Sequence, residues 1–304
     1  MIQLLYLVKR NLKVYFKDRG MFVASMITPV ILLVLYSLFL ARIYKDGFTG
    51  GLPAGVTLPD KVLDGAVGAQ LVSSLLAVCC ITVSFCANLV MVNDKVSGAI
   101  HDLTMTAVDK TVITLGYYFA TVLSALLICT IAMGASLIYL AVVGFYMNAL
   151  DVLLLFLDVI LLVNFGAALS TLVFLPMTTE GQSSAVTTII SAGYGFICGA
   201  YMPISSFPKW VSNVVMFLPG TYGTTILRNH AFRGVMNEMS SLGVPDGVIE
   251  GLRDSVDCNL YFFGKEVPLG VSFAVLGGAV ALLLGVLAVI TAVARKKKSF
   301  RKKG

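Results

Sequence analysis

Six stretches of this chain are too long and too apolar for a fold that ends in water. They occupy residues 21–40, 66–92, 115–144, 152–175, 184–201 and 268–294. About 20 apolar residues at 1.5 Å each cross a hydrocarbon layer of ~30 Å. Inside that layer the backbone must satisfy its own N–H and C=O groups, which leaves helices or a closed barrel. Runs of this length point to helices. The expected fold class is therefore an all-α membrane protein with six transmembrane helices. Composition agrees: 58% of the residues are hydrophobic and 12% charged, where a soluble domain carries about 25% charge. Mean hydropathy is +0.92. Disordered, collagen-like and disulfide-scaffold chains are excluded by the same figures. The first run is longer than the ~7–15 apolar residues of a secretory signal and is expected as a span. The fifth is the shortest, and the last is long enough to tilt.

Residues 1–20 are too charged to cross. Leu4, Leu5, Val8, Leu12 and Tyr15 recur every three to four positions, with Lys9, Arg10, Lys13 and Lys17 between them. That spacing predicts an amphipathic helix lying in the membrane interface. Net charge is +6, but the basic residues cluster at 9–19 and 295–303, against apolar runs. Such clusters face anionic lipid and set orientation, and no aromatic-interleaved basic surface points to nucleic acid. With both termini on one side, that side carries fourteen basic residues in its short segments, against eight on the other. The positive-inside rule then places both termini in the cytoplasm of a multi-pass cell-membrane protein.

Five of the six cysteines, Cys79, Cys80, Cys86, Cys129 and Cys198, lie in apolar runs and read as small hydrophobes. Cys258, in a polar stretch, is a free thiol or an intermolecular bridge. No metal-ligand spacing exists, and His101 and His230 are the only histidines, both outside the expected spans. No catalytic arrangement is evident. Ser191, Gly195 and Gly199, and likewise Gly277, Ala281 and Gly285, recur every four residues, spacing that lets helices approach closely in lipid.

Two segments outside the spans carry more information. The loop 93–114, expected in the cytoplasm, is far longer than reconnection requires. Its charged residues punctuate Ile100, Leu103, Met105 and Val108, and Gly98 can bend the chain. A short amphipathic helix follows, docking into a partner's groove or lying on lipid headgroups; periodicity leaves both open. The external segment 202–267 has an apolar first half broken by Pro203, Pro208 and Pro219. It reads as re-entrant or interfacial, since irregular backbone cannot face lipid. Its polar second half carries a short exposed helix from about Asp246. The other external loop, 41–65, is rich in Gly and Pro and reads as irregular.

Asp94-Lys95, Ser97-Gly98, Ile100, Asp102-Leu103, Thr106, Val108, Lys110 and Gly116-Tyr117 together resemble the cytoplasmic loop of permease subunits of type-2 ABC exporters. Ala99, Ala107 and Tyr117 depart from that family's Thr, Pro and Lys. Pro203, Pro208, Trp210, Pro219, Tyr222 and Arg228 are similar to its external segment after the fifth span. Taken in order, these features cover essentially the whole chain, 1–304, as a single ABC transmembrane type-2 domain.

The resemblance implies a dimer of permeases, identical or homologous, that forms the translocation pathway. A separate ABC ATPase subunit binds the 93–114 loop, where Asp94, Lys95, Gly98, His101, Asp102, Thr106, Val108 and Lys110 are the coupling residues. The external residues cap the pathway as a re-entrant segment before the last span. The chain itself is expected to be no enzyme and to bind no cofactor or metal, ATP sitting on the partner. Consistent with this, no Gly-rich phosphate loop ending in Lys and Ser or Thr occurs.

Asp158, within the fourth run, is a cation or pathway contact or a paired carboxylate near the outer interface; nearby Asp151 favours the second. Asn88 and Asn164 read as hydrogen-bonding groups between helices, with substrate contact as the alternative. Arg228, His230 and Arg233 read as anchors to lipid headgroups, with binding of an anionic substrate as the alternative. The alternatives in function are an ion-coupled transporter or channel, for which Asp158 is the sole support, and a non-transporting membrane anchor or sensor.

Overall fold

The computed structural model describes residues 2–50, 58–106 and 108–301, and of 294–301 the backbone alone. It is 84% helical. Helix α1 (Ile2–Lys17) is the expected amphipathic segment, burying Leu7, Val8, Asn11 and Tyr15. Asp18 accepts a hydrogen bond from the Met21 N–H at 3.1 Å, capping α2 (Arg19–Leu35). A π-helical turn at Tyr36–Leu40 then leads into α3 (Ala41–Gly50). The three form one helical run of 32 residues.

The expectation of an irregular 41–65 fails here. Along this run Tyr36 stacks on Tyr44 and Tyr44 packs at a tilt against Phe48, with ring centroids 6.3 and 6.4 Å apart. Lys45 meets Asp64 at 2.7 Å and Asp60 at 3.1 Å. Tertiary contact outweighs the low helix propensity of Gly47 and Gly50. Residues 51–57, including Pro53, lie outside the described residues.

Helix α4 (Asp60–Val96) is the centre of the molecule. It is apolar on all faces and buried along nearly its whole length, as a helix surrounded by others must be. It touches α2, α3, α6 (Lys110–Val143), α7 (Ala149–Phe174), α8 (Glu180–Ile197) and α10 (Pro219–Ser241). Short α5 (Ala99–Met105) links α4 to α6. Helix α9 (Lys209–Val215) precedes α10, and α11 (Asp246–Ser255) follows it, the latter at the expected start. Helix α12 (Leu269–Arg301) packs on α10 and α7. Side chains of α2, α6 and α12 such as Ile31, Ile138 and Leu282 are left exposed, a surface fit for lipid or another helix.

Among the described residues, five helical runs are long and apolar enough to cross a membrane: 19–50, 60–96, 110–143, 149–174 and 269–293. The expected fifth span differs. Its helix begins earlier, at Glu180, ends at Ile197, and includes Glu180, Gln182 and several Ser and Thr, so it falls short of the other five in apolarity. A hairpin of β1 (Leu260–Phe262) and β2 (Lys265–Val267) also departs from the all-α expectation. Phe263 and Gly264 connect it at φ +48° and +80°, the two positive values of a tight hairpin turn.

The largest change concerns 202–267. Pro203 precedes a 3-10 turn at Ile204–Ser206, Pro208 precedes α9, and Pro219 is the first residue of α10. Proline serves at helix starts because the N–H it lacks has no partner there. Helix α10 lies inside the bundle. Sixteen of its residues are buried, and it runs among α4, α7 and α12.

Candidate coupling site

Gly98, at φ +83°, turns the chain out of α4 in a conformation that costs other residues energy. It sets α5 free of the bundle. No residue of α5 is buried, His101 and Asp102 are exposed, and Met105 is 89% exposed. Thr106 Oγ1 donates to the Leu103 carbonyl at 2.6 Å and closes the helix. Val108 is half-buried, Asp109 precedes the first residue of α6, and Lys110 is exposed. Ala107 lies outside the described residues. A cleft of about 520 Å³ separates α5 from the ends of α6 and α7, with His101 and Lys110 on opposite walls.

Asp94 and Lys95, which the resemblance groups with these exposed residues, point elsewhere. Asp94 is buried and bridged by both terminal nitrogens of Arg10, one at 2.9 Å, while Tyr117 donates its hydroxyl at 2.6 Å. The Asp94 carboxylate holds the Arg10 guanidinium above its ordinary pKa. Lys95 Nζ donates to the carbonyls of Phe174, Leu175 and Met177 at 2.7–3.0 Å, neutralising the negative end of α7. The two residues fasten the base of the loop to α1, α6 and α7.

Sequence reasoning missed Arg10 as a partner, reading it as one more basic residue facing lipid. Tyr117, where the family carries Lys, brings a hydroxyl to Asp94, and Arg10 supplies the positive charge. The one accessible signal was Gly116. A Cβ there would lie 3.0 Å from that of Leu7, which marks the close approach of α1 to α6.

At the other end, Arg228 is fully buried, contrary to a role at lipid headgroups. Its Nη1 meets Asp257 Oδ2 at 2.9 Å and its Nη2 donates to the Gly199 carbonyl at 2.5 Å. Asp257 also accepts the N–H groups of Ile204 and Ser205, at 2.6 and 3.1 Å. Its own backbone sits at φ +54°. One carboxylate thus ties α10 to the turns that carry Pro203. Tyr222 donates to the Met216 carbonyl at 2.8 Å, and Trp210 is 72% exposed.

His230 is likewise not on the surface. Its Nδ1 lies 2.5 Å from Asp158 Oδ2, joining α10 to α7, so the sharpest intramembrane charge has a partner. Asn88 Nδ2 donates to Ser170 and Thr171, both at 3.1 Å, and Asn164 accepts from Tyr118 at 2.8 Å. All three contacts join different helices. The small-residue seams divide: Gly195 faces the ring of Tyr201, whereas Gly277 and Gly285 face open space. Among the described residues no cluster of His, Cys, Asp and Glu could hold a metal ion, and all six cysteines, Cys258 included, are free and buried.

A search of curated proteins gives no match. Residues 2–232 match the family described as ABC-2 type transporter. That family supplies the membrane components of ABC-type transporters, which work with ABC ATPases. With its apolar helices and this match over most of its length, the chain is a multi-pass membrane protein of the ABC-2 type transporter family.

Proposed function

We propose that the chain is the permease subunit of an ATP-driven exporter in the cell membrane, working as a dimer with separate ATPase subunits. It is no enzyme in this reading, and ATP is bound and hydrolysed on the partner. The observation that carries the proposal is α5, an exposed helix whose base is bolted down by Asp94 and Lys95. A helix that merely reconnected α4 and α6 would need no such fastening. ATP-driven closure of the companion subunits pushes α5, and the push reaches α1, α6 and α7 through those two residues. A switch from mostly inward to mostly outward needs ~5 kcal/mol of differential binding, within reach of nucleotide bound between two ATPase subunits.

In this arrangement α8 crosses as a sixth span despite its polar start. Both termini are cytoplasmic, and the turns at 202–218 cap the outer end of the pathway. The test is co-expression and co-purification with an ABC ATPase subunit from the same organism. The permease is expected to bind that subunit and change its ATP hydrolysis. Asp102→Ala and Lys110→Ala should lose at least part of that change while inserting normally. Failure of the wild-type pair to associate would sink the reading.

The Asp158–His230 pair favours a second reading, ion-coupled transport. Collapse of the proton gradient separates the two. The first predicts that flux in vesicles survives it while ATP lasts.

A further inference from the structure

Three basic side chains converge on a cleft that the coupling reading does not use. Where α10, α11 and the start of α12 meet, a space of about 390 Å³ is lined by His230, Arg233 and Arg253, with half-buried Leu269 as its apolar edge and the buried side chains of Phe232 and Met236 behind it. Among the described residues no carboxylate lines it. The acids lie beside the bases instead, each on a single nitrogen. Asp158 lies 2.5 Å from His230 Nδ1, Asp151 3.5 Å from Arg233 Nη1, and Glu250 3.6 Å from Arg253 Nε.

Donors are therefore left over. Among the described residues Arg233 keeps Nε and Nη2 without a hydrogen-bond partner, and Arg253 keeps Nη1. His230 keeps Nε2, a donor whenever the ring is charged. Two guanidinium forks beside an imidazole match the several oxygens of a phosphate monoester better than one carboxylate or a neutral group. Arg253 is further steadied by Asn259 and Asn229, so less freedom is lost on binding. The apolar edge at Leu269 is where the last apolar helix begins.

We propose that this cleft binds a phosphate-type oxyanion, carried as the head of an amphipathic molecule whose tail leaves the cleft past Leu269. The site does not depend on ATP coupling, and its test uses purified protein in a neutral detergent. Titration calorimetry would compare dihexanoyl phosphatidate, inorganic phosphate and uncharged dihexanoylglycerol. Phosphatidate is expected to bind saturably and dihexanoylglycerol not at all. Phosphate at least tenfold weaker than phosphatidate supports the amphipathic ligand. Phosphate equally tight upholds the oxyanion site and overturns the tail.

Arg253→Gln, on a surface helix, should weaken phosphatidate roughly tenfold, as should Arg233→Gln, with Arg233→Lys between that variant and the wild type. Lys9→Gln/Lys13→Gln should leave the affinity unchanged. The site is overturned if phosphatidate shows no saturable binding in the millimolar range, or if both arginine variants bind as the wild type does. It is equally overturned if the Lys9/Lys13 variant is the one that loses affinity, since general attraction to a basic chain would then explain the signal.

Discussion

Arg228 shows how far one buried charge can organise a membrane protein. Its guanidinium and Asp257 neutralise each other, and Asp257 spends its remaining lone pairs on two backbone N–H groups. Removing the cation alone strands a carboxylate with no water to solvate it. Arg228→Met should therefore cost about 3–5 kcal/mol, read as a large fall in the thermal midpoint in detergent. Arg228→Met/Asp257→Asn should recover part of the loss, because the neutral amide no longer needs a counter-charge. Equal losses for the two would mean that packing, and not the ion pair, sets the cost.

The same arithmetic applies at Asp94. Tyr117→Phe removes one charge-assisted donor, about 1.5–3 kcal/mol, and Arg10→Ala removes the counter-charge and more. Both should speed hydrogen exchange in α1, Arg10→Ala the more strongly. Neither partnership was legible in the chain. Arg10 looks like its basic neighbours, and nothing in the spacing of 228 and 257 says that the chain comes back through α11 to set Asp257 against α10. Long-range polar pairs are decided by tertiary geometry, which apolar periodicity does not encode.

At the scale of elements, the sequence was most readable where length and apolarity alone decide. The runs at 66–92, 115–144, 152–175 and 268–294 fall within helices of the bundle to within one residue at their ends, and α1, α5 and α11 lie where amphipathic spacing and Pro245 put them. What escaped was of another kind. Helix α3 follows from the packing of Tyr36, Tyr44 and Phe48 along one face. Helix α10 is polar by composition yet buried, since its Thr, Arg and His residues find partners on α7 and on the turns around Asp257. Prolines that looked like breaks in one apolar segment proved to be three separate helix starts.

For α5 the decisive position is Gly98. A Cβ there meets nothing within 4 Å, but φ +83° penalises any L residue by roughly 1–2 kcal/mol. Gly98→Ala is expected to leave the bundle's thermal midpoint within a few degrees while re-aiming α5. If α5 is the coupling element, stimulation of the companion ATPase falls and the midpoint barely moves. A variant with unchanged stimulation would place the coupling surface elsewhere.

Across the whole molecule, the burial of every cysteine makes the membrane orientation directly testable. The six thiols are at most 8% exposed, and Cys258, the one outside the apolar runs, is pushed up to about 12 by burial. Maleimides react with the thiolate, which at neutral pH is a negligible fraction of such a group. The native chain should therefore give almost no background with a membrane-impermeant maleimide, and single introduced cysteines report on their own position. His101→Cys places a thiol on exposed α5, and Tyr261→Cys places one on the β1 strand. With both termini in the cytoplasm, Tyr261→Cys should label in intact cells. His101→Cys should label only after permeabilisation or in inside-out vesicles. The reverse pattern would put α5 on the face without ATP, and an ATPase could not then act through it. Labelling of both from one side would mean that an even number of crossings separates α5 from Tyr261, and α8 would be the first helix to re-examine. Because α8 is the least apolar of the candidate spans, a third thiol at Thr178, on the loop between α7 and α8, decides the count. With six spans it labels with His101→Cys. With α8 not crossing, Thr178 and Tyr261 fall on one side.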